Sequence, residues 1–163
     1  SGYTAKVAGT ETGITEPQTT FSACFGKPFL PLHPAKYAEI LGSKLKENNV
    51  NVWLINTGWS GGSYGVGERI KLSYTRAMIT AVLENKLENI DFTEHPVFGL
   101  QMPVSCPDVP SEILNPKNTW HDKTAYDTMA QNLADQFAAN FKAFEDFANE
   151  EICGGAPVLQ YNL

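Results

Sequence analysis

The feature that most constrains the fold is a short apolar run that opens into a glycine-rich loop. Residues 51–75 read NVWLINTGWSGGSYGVGERIKLSYT. The apolar run predicts a buried strand over residues 52–55, and the glycines and serines of residues 58–67 predict a loop. A strand of parallel type that ends in such a loop places backbone N–H groups at the crevice where open α/β sheets bind ligands. The stretch therefore predicts an α/β fold with a ligand site at the end of this strand.

The loop lacks the residues of a phosphate-binding P-loop. No Gly-Lys-Ser or Gly-Lys-Thr closes it, so a nucleotide bound here would not have its phosphates cradled in the Walker A manner. The chain also shows no paired carboxylates at metal spacing and no Ser/His/Asp set in a nucleophile elbow. We predict that the stretch can bind a base, with no catalytic and no metal-binding residue, because the parts for phosphoryl transfer are absent from it.

The composition of the chain limits the class of protein it can belong to and the partners it can bind. The chain has 163 residues, of which 42% are hydrophobic and 18% charged, which is typical of a globular domain. Its net charge of −6 argues against nucleic acid or an anionic membrane as a partner. No apolar run approaches the roughly 18 residues of a membrane span, and the first residues have no apolar secretory region. We therefore expect a cytoplasmic protein. Three cysteines without metal-like spacing predict reduced thiols, and three separated histidines predict no zinc site.

Residues that favour helix starts and ends predict three helices in this chain. His33-Pro34 predicts the start of a first helix that ends at Asn48-Asn49, with proline at the first helical position. Ser73 predicts the N-cap of a second helix, which ends near Asn85-Lys86. The predicted core faces are Tyr37, Ile40, Leu41 and Leu45 in the first helix, and Met78, Ile79, Val82 and Leu83 in the second.

The third predicted helix carries the longest apolar stripe. It begins after Asp122 as N-cap and ends at Gly154-Gly155. Apolar residues spaced three or four apart predict one continuous helix of about seven turns that packs a core. These residues are Tyr126, Met129, Leu133, Phe137, Phe141, Phe144, Ala148 and Ile152.

The remaining segments predict loops and short strands. Residues 1–20 are rich in Gly, Thr and Pro and predict a lid-like loop, with a frayed terminus as the alternative. Residues 21–163 then form the α/β portion. Within it, residues 21–26 and 97–104 predict short strands, the second with Phe98, Leu100 and Met102 on one face.

Three residues after the glycine-rich loop suit a purine ring. Arg69 can stack on the ring through its planar guanidinium, while the adjacent Ile70 covers the other side. Thr75 offers a hydroxyl that can pair with a ring nitrogen or amine. From the sequence, we predict that Arg69 and Ile70 form a buried pair. The alternative interpretation makes Arg69 a surface charge and Thr75 an ordinary first-turn residue, and residue spacing alone leaves both open.

Several segments together resemble one family. SGYTAKVAGTE, ITEPQTTFSACFG, LINTGW, GERIKLSYTRAMITAVL and LNPKNTW are similar, in this order, to the C-terminal part of ATP-dependent phosphoenolpyruvate carboxykinase. The resemblance covers nearly the whole chain and is weakest after about residue 120. It implies part of a mixed-sheet mononucleotide-binding domain with three main helices and short strands.

The resemblance also implies an activity and its site. The family converts oxaloacetate and ATP to phosphoenolpyruvate, CO2 and ADP in gluconeogenesis, with Mg2+ and Mn2+. Arg69, Ile70 and Thr75 match the positions that contact the adenine nucleotide. Residues 8–19 match the mobile lid, which would exclude water from the enolate intermediate when it closes. The lid residues that we single out are Gly9, Thr10, Glu11, Thr12 and Gly13.

The chain lacks several groups of residues on which the activity of the family depends. The family's P-loop, its metal-binding Lys, His and Asp, and its oxaloacetate-binding residues all precede the region that this chain resembles. We therefore expect a truncated segment that meets oxaloacetate and phosphoenolpyruvate only through the missing portion and is inactive alone. Two alternatives stay open, a non-catalytic nucleotide-binding or interaction module and a structural remnant that binds nothing by itself. The loop of residues 60–67 is also longer than we expect for the family, so the resemblance leaves open how the backbone reaches Arg69.

Overall fold

A computed structural model of the chain describes residues 3–6, 12–13, 15, 18–23, 26–62 and 65–158. The chain forms two compact units. The first comprises Ser1–Asn51 and Leu133–Leu163, and the second Val52–Asn132. Helices and short antiparallel strand pairs make up both units, as expected for an α/β segment. No helix in the described part of the chain is long and apolar enough to cross a membrane.

The first unit begins with a strand pair where the sequence predicts only a loop. Strand β1, Tyr3–Lys6, runs antiparallel to β2, Gln18–Phe21, with Tyr3 opposite Phe21. The strand predicted over residues 21–26 therefore lies further upstream, because the ladder to β1 ends at Phe21. Of the predicted lid residues, Thr12 and Gly13 lie in a turn, and Gly13 has a φ of 86°. Gly9, Thr10 and Glu11 lie outside the described residues.

The first predicted helix is confirmed at both ends. Helix α1 spans Pro34–Asn48 after a single 3-10 turn at Lys27–Phe29. The N-cap residue His33 accepts the N–H of Ala35 through Nδ1 at 3.3 Å, and Asn49 ends the helix with a left-handed φ of 48°. The predicted core face is wrong for Ile40 and Leu41, which are exposed. Tyr37 and Leu45 of the same stripe are half-buried, and Ala35 is the only residue of α1 that is buried.

The long C-terminal helix of the prediction is three elements in the structure. Helix α5 spans Lys123–Phe141, a 3-10 turn follows at Glu145–Phe147, and a short helix α6 spans Glu150–Gly154. The start is confirmed, because Asp122 Oδ1 accepts the N–H groups of Thr124 and Ala125 at 2.8 and 3.0 Å. The start of α6 has a local cause. The side chain of Asn149 accepts the N–H of Ile152 at 2.9 Å, which starts a new helix instead of continuing the first.

The apolar stripe still packs where the helix is broken. The Phe137 ring meets Phe21 edge-on, with 5.2 Å between ring centroids. The Phe144 ring lies 6.0 Å from that of His33, also in an edge-on arrangement. The predicted face is therefore only partly correct, because Met129 is exposed and the other stripe residues are half-buried, whereas the buried residues of α5 are Ala130 and Ala134. Periodicity also could not detect the interruption of the backbone.

The second unit packs around helix α2, Leu72–Leu83. Two antiparallel strand pairs flank it in the chain, β3 (Trp59–Ser60) with β4 (Glu68–Arg69), and β5 (Phe92–Glu94) with β6 (Gln101–Pro103). Two single-turn helices follow, α3 (Ser111–Leu114) and α4 (Pro116–Thr119). The core cluster consists of Ala81, Leu87, Cys106 and Val109. Partly buried side chains packed against this cluster are Trp53, Tyr74, Ala77, Met78, Val82, Ile90, Ile113 and Leu114.

The buried strand predicted over residues 52–55 does not form in this structure. Residues 51–57 have no regular structure, and Val52 and Leu54 are 63% and 77% exposed. A strand needs a neighbour to take its backbone hydrogen bonds, and no strand among the described residues pairs with this segment. All strand pairs in the described part of the chain are antiparallel and two-stranded, so the predicted parallel arrangement is absent there.

Two further boundaries differ from prediction. Helix α2 begins at Leu72, two positions beyond Ile70, and Lys71 is its N-cap without a side-chain bond, so Ser73 lies inside the first turn. Ile79 and Leu83, both predicted in its core face, are exposed. The strand predicted over residues 97–104 is reduced to β6, because residues 95–99 form a turn in which the N–H of Gly99 donates to His95 O at 2.8 Å.

Candidate functional site

The glycine-rich loop folds as a small hairpin. Its stem has two residue pairs, with Trp59 opposite Arg69 and Ser60 opposite Glu68. Arg69, the leading candidate for purine stacking, therefore ends the second strand of the hairpin. The side chains of both Glu68 and Arg69 face solvent.

The base of the hairpin is closed by an asparagine. Asn56 Oδ1 accepts the N–H of Gly58 at 2.9 Å, and Asn56 Nδ2 donates to Trp59 O at 3.3 Å. The N–H of Ile70 donates to Gly58 O at 2.8 Å, directly after the last stem pair. These bonds fix the point at which the chain enters and leaves the hairpin.

Glycine is required inside the hairpin by close backbone contact. A Cβ atom on Gly67 would lie 2.5 Å from Gly62 O and 2.6 Å from Ser60 O. Gly61 and Gly65 adopt positive φ values of 83° and 84°, which glycine tolerates without steric cost. The glycines thus allow the hairpin to pack on itself, and they do not by themselves indicate a phosphate cradle.

The hairpin is hydrogen-bonded to helix α4. Ser60 Oγ donates to Thr119 Oγ1 at 2.8 Å, and Thr119 Oγ1 donates to Pro116 O at 2.8 Å. A Cβ on Gly61 would come within 3.0 Å of Thr119 O, so the backbones also approach closely here. Two parts of the chain that are far apart in sequence, and that both carry segments of the family resemblance, therefore meet through side-chain hydroxyls.

Helix α4 is itself held by side chains. Asn115 caps its start, where Oδ1 accepts the N–H of Lys117 at 3.1 Å. Lys123 closes its end, because the ammonium group satisfies carbonyl oxygens that the short helix leaves without partners. It donates to the carbonyl oxygens of Lys117, Asn118 and Trp120 at 2.9, 2.9 and 2.7 Å.

The structure places the three predicted nucleotide contacts at the junction of β4 and α2. Arg69 is exposed, so the predicted burial of the Arg-Ile pair is wrong for this residue, whereas Ile70 is half-buried. The ion pairs of the described residues do not include Arg69. Because its side chain is exposed, the face of its guanidinium is accessible. Thr75 is buried, at 9% exposure, and its N–H donates to Lys71 O at 3.2 Å. The roles of the three residues stay predictions, as does that of the lid.

Sequence reasoning missed a buried polar pair in the same unit. His95 is only 6% exposed, and its Nε2 lies 2.7 Å from Tyr126 Oη. Its Nδ1 accepts the N–H groups of Val97 and Phe98, both at 3.2 Å. Because Nδ1 is an acceptor, the ring proton is assigned to Nε2, which donates to Tyr126. The only advance signal was the turn sequence HPVFG, in which proline and glycine bracket the backbone that folds onto the ring.

Burial controls the protonation of this pair. It lowers the pKa of His95 below its usual 6.5. It raises the pKa of Tyr126 above its usual 10.0, and the neighbouring carboxylate of Asp127 adds to this effect. Both groups are therefore neutral near pH 7. Since both ring nitrogens of His95 are already hydrogen-bonded, the pair serves the fold and offers no free general base.

The described cysteines are single thiols. Cys106 is buried in the core cluster, and Cys153 is exposed. Burial raises the pKa of the Cys106 thiol, with a further contribution from Asp108, so it is protonated at neutral pH. Cys24 lies outside the described residues. Among those described, no group of three His, Cys, Asp or Glu side chains comes together in a way that could hold a metal ion.

Comparison with known proteins gives a consistent result. The family model for phosphoenolpyruvate carboxykinase matches residues 1–112, which include the hairpin, Arg69, Ile70 and Thr75. The phosphoenolpyruvate carboxykinase (ATP) of Flavobacterium johnsoniae is 64% identical over 160 residues, which cover 98% of this chain and 30% of that protein. The protein of the same name from Caldanaerobacter subterraneus is 56% identical over 157 residues, with 96% of this chain and 30% of the relative covered.

A eukaryotic relative extends the comparison. The phosphoenolpyruvate carboxykinase (ATP) of Dictyostelium discoideum is 56% identical over 158 residues, covering 97% of this chain and 28% of its own length. The chain thus spans about 30% of the length of the curated relatives that it matches. Since the family model matches well over half of the residues, and does so across the hairpin and helix α2, the chain belongs to the phosphoenolpyruvate carboxykinase (ATP) family.

Proposed function

We propose that this chain supplies the adenine-binding part of a phosphoenolpyruvate carboxykinase. The complete enzyme would convert oxaloacetate and ATP to phosphoenolpyruvate, CO2 and ADP. The observation that carries the proposal is the exposed guanidinium of Arg69, placed by the hairpin beside Ile70 within the segment that matches the family. The ligands of Mg2+ and Mn2+ and the groups that move the phosphoryl group would lie outside this chain.

Each of the three residues has a distinct part in the proposed contact. The guanidinium of Arg69 stacks on the purine, where the attraction between cation and ring strengthens as water is excluded. Ile70 supplies apolar contact beside it. The hydroxyl of Thr75 hydrogen-bonds the base edge. Because Thr75 is buried, its substitution would disturb packing as well as binding, so Arg69 is the cleaner probe.

The same proposal includes the finer features of the fold. Residues 52–55 would be a strand of a mixed sheet whose partner strands lie outside the described residues. The exposure of these side chains alternates along the segment, which supports a strand. Val52 and Leu54 are exposed, whereas Trp53 and Ile55 are half-buried. Residues 9–13, in the connection between β1 and β2, would be the lid that closes over the reaction.

The test uses a chimera of the length typical of the family. In this chimera, residues 1–163 replace the matching 30% of the Flavobacterium johnsoniae relative, with which they share 64% identity. Decarboxylation of oxaloacetate with formation of ADP is expected. Arg69→Ala should raise the Michaelis constant for ATP by the equivalent of about 1–3 kcal/mol, because a stacked and charge-assisted contact is lost.

The matched control is Arg76→Ala. Arg76 is exposed on α2 and has no role in the proposed contact, so its removal should leave the Michaelis constant for ATP within about twofold. An Arg69→Ala chimera that folds and binds ATP as tightly as its parent would refute the adenine-binding role.

The 163-residue chain by itself separates the alternatives. We expect no turnover from it, since the groups for phosphoryl transfer are not in its sequence. A titration with ATP, followed by the fluorescence of Trp53 and Trp59, should saturate when the segment alone is a binding module. A flat titration would show that the base also needs contacts from the rest of a protein of family length.

A further inference from the structure

The first observation is that Ser60 and Gly61, two consecutive residues of the hairpin, both lie close to Thr119. Ser60 donates its hydroxyl proton to Thr119 Oγ1 at 2.8 Å, and the backbone at Gly61 lies so close to Thr119 O that a Cβ would come within 3.0 Å. Both hydroxyl-bearing side chains are half-buried. A hydrogen bond shielded from water in this way holds its geometry better than one on an open surface.

The second observation is that Thr119 is held in place. Its own hydroxyl proton is donated to Pro116 O at 2.8 Å, so its lone pair points at Ser60. Lys123 binds three carbonyl oxygens at the end of α4 and ties this helix to the start of α5. Thr119 therefore presents a fixed acceptor to the hairpin.

The third observation is that the paired stem of the hairpin is short. Its stem consists of two residue pairs, and a two-stranded ribbon of this length is marginal in water. Val66 at its far end is exposed, so apolar burial contributes little there. Ser60 is adjacent to Trp59, which pairs with Arg69, so a displacement of Ser60 is passed directly to Arg69.

We propose that the hydrogen bond between Ser60 and Thr119 is a latch that fixes the glycine-rich hairpin and thereby positions Arg69 for the nucleotide. Ser60 and Thr119 are then positioning residues, which act through Arg69 without touching the base. This inference rests on the proposed adenine-binding role of Arg69. The inference adds a residue of α4 to those that control nucleotide binding, and α4 lies beyond the residues that the family model matches.

The latch itself is tested without nucleotide. In the 163-residue chain, Ser60→Ala removes the donor and leaves the bond from Thr119 to Pro116 intact. We expect hydrogen exchange at the Ile70 amide, which closes the hairpin base, to accelerate about three- to tenfold, the change that corresponds to one lost hydrogen bond. Thr119→Val should have a similar effect, and Thr119→Ser should restore slow exchange because it keeps the hydroxyl.

The matched control is Thr128→Val. The hydroxyl of Thr128 also donates to a carbonyl of its own helix, Thr124 O at 3.0 Å, but it is exposed and this bond lies within α5. Its removal should leave exchange at Ile70 unchanged. The double variant Ser60→Ala/Thr119→Val should be no faster than Thr119→Val alone, since both substitutions break the same bond.

Positioning is tested in the chimera defined above. Ser60→Ala and Thr119→Val should raise the Michaelis constant for ATP about three- to tenfold and leave kcat within about twofold, because only the placement of Arg69 changes. A merely structural role would instead reduce the active fraction, and hence kcat, with the Michaelis constant unchanged. Thr119→Ser should again behave like the parent.

The outcomes distinguish this inference from the proposed function. Unchanged exchange at Ile70 in Ser60→Ala overturns the latch. Faster exchange with an unchanged Michaelis constant for ATP overturns the positioning role, whereas the adenine-binding role survives as long as Arg69→Ala still raises that constant. An Arg69→Ala chimera with normal ATP binding overturns the proposed function and the positioning role together.

Discussion

Two regions of the second unit are held by different forces. Around α2, apolar side chains are removed from water, and Leu87 is only 4% exposed. In the hairpin and the segment before it, Leu54 and Val66 face solvent, and the chain is held by an asparagine, a serine–threonine bond and close glycine contacts. The first region gains from the hydrophobic effect, whereas the second depends on directional contacts that each contribute little.

The difference separates stability from proposed binding. Arg69 lies on the polar, open region, while the residues that fix the fold of the unit lie in the apolar one. A weakly held region can adjust to a ligand at low cost, and binding loops are commonly carried on a rigid support for this reason. Substitutions in the two regions should therefore differ in what they change as well as in how much.

The largest effect is expected from Leu87→Ala. It removes a buried side chain from the core cluster and should lower the free energy of unfolding by about 2–5 kcal/mol, measured by urea denaturation of the 163-residue chain. Leu54→Ala makes the same chemical change on the open segment, where the side chain is 77% exposed, and should cost less than about 0.5 kcal/mol. Equal costs would show that the segment before the hairpin is packed as well as the core.

The next effect is expected from Gly67→Ala. Its new Cβ would collide with two carbonyl oxygens, of Gly62 and Ser60, so the hairpin must open at a cost of about 1–3 kcal/mol. Exchange at the Ile70 amide measures this opening. Gly42→Ala serves as the control, because Gly42 lies inside α1 with open space around it, and alanine there should stabilise by up to about 1 kcal/mol. Slow exchange in Gly67→Ala would mean that the hairpin tolerates a side chain at this point.

The smallest effect is a pH dependence that arises from His95, a buried polar group of the second unit. Its folded pKa lies below the 6.5 of the unfolded chain, so its contribution to stability is complete above about pH 6.5. That contribution is lost as the pH falls through the folded value, because the unfolded chain takes up a proton that the folded chain excludes. The free energy of unfolding should therefore decrease on acidification below about pH 6.5.

The variant that isolates this contribution is His95→Gln. Between about pH 7.5 and 5.5 it should lose less stability than the parent. A parent and His95→Gln variant with the same dependence would show that this buried imidazole is protonated as easily as an exposed one.

How far the sequence could predict the fold depends on how local each signal is. The first helix was predicted at both ends, because His33-Pro34 and Asn49 act on their own neighbours. The cap at Asp122 was predicted for the same reason. The break before α6 was missed, since Asn149 starts a helix through its own hydrogen bond while the apolar period continues unchanged. The strand over residues 52–55 was predicted wrongly, because pairing depends on partner strands that no local pattern specifies.

The candidate site shows the same division. The sequence pointed to Arg69, Ile70 and Thr75, and family membership is established, but the exposure of Arg69 contradicted the expected burial. The hydroxyl contact between Ser60 and Thr119 joins residues too far apart in sequence for any spacing rule to reveal. The same is true of His95 and Tyr126, whose pairing depends on how the turn at Gly99 meets α5.

The sequence by itself determined the family, the glycine positions and the helix caps at His33, Asn49 and Asp122, because each depends on residue identity or on neighbours a few positions away. The tertiary structure decided which apolar faces are buried, which polar groups lose water and which hydroxyl meets the hairpin. Those outcomes depend on contacts between distant residues, whose free energies are set by burial and geometry that a linear pattern does not contain.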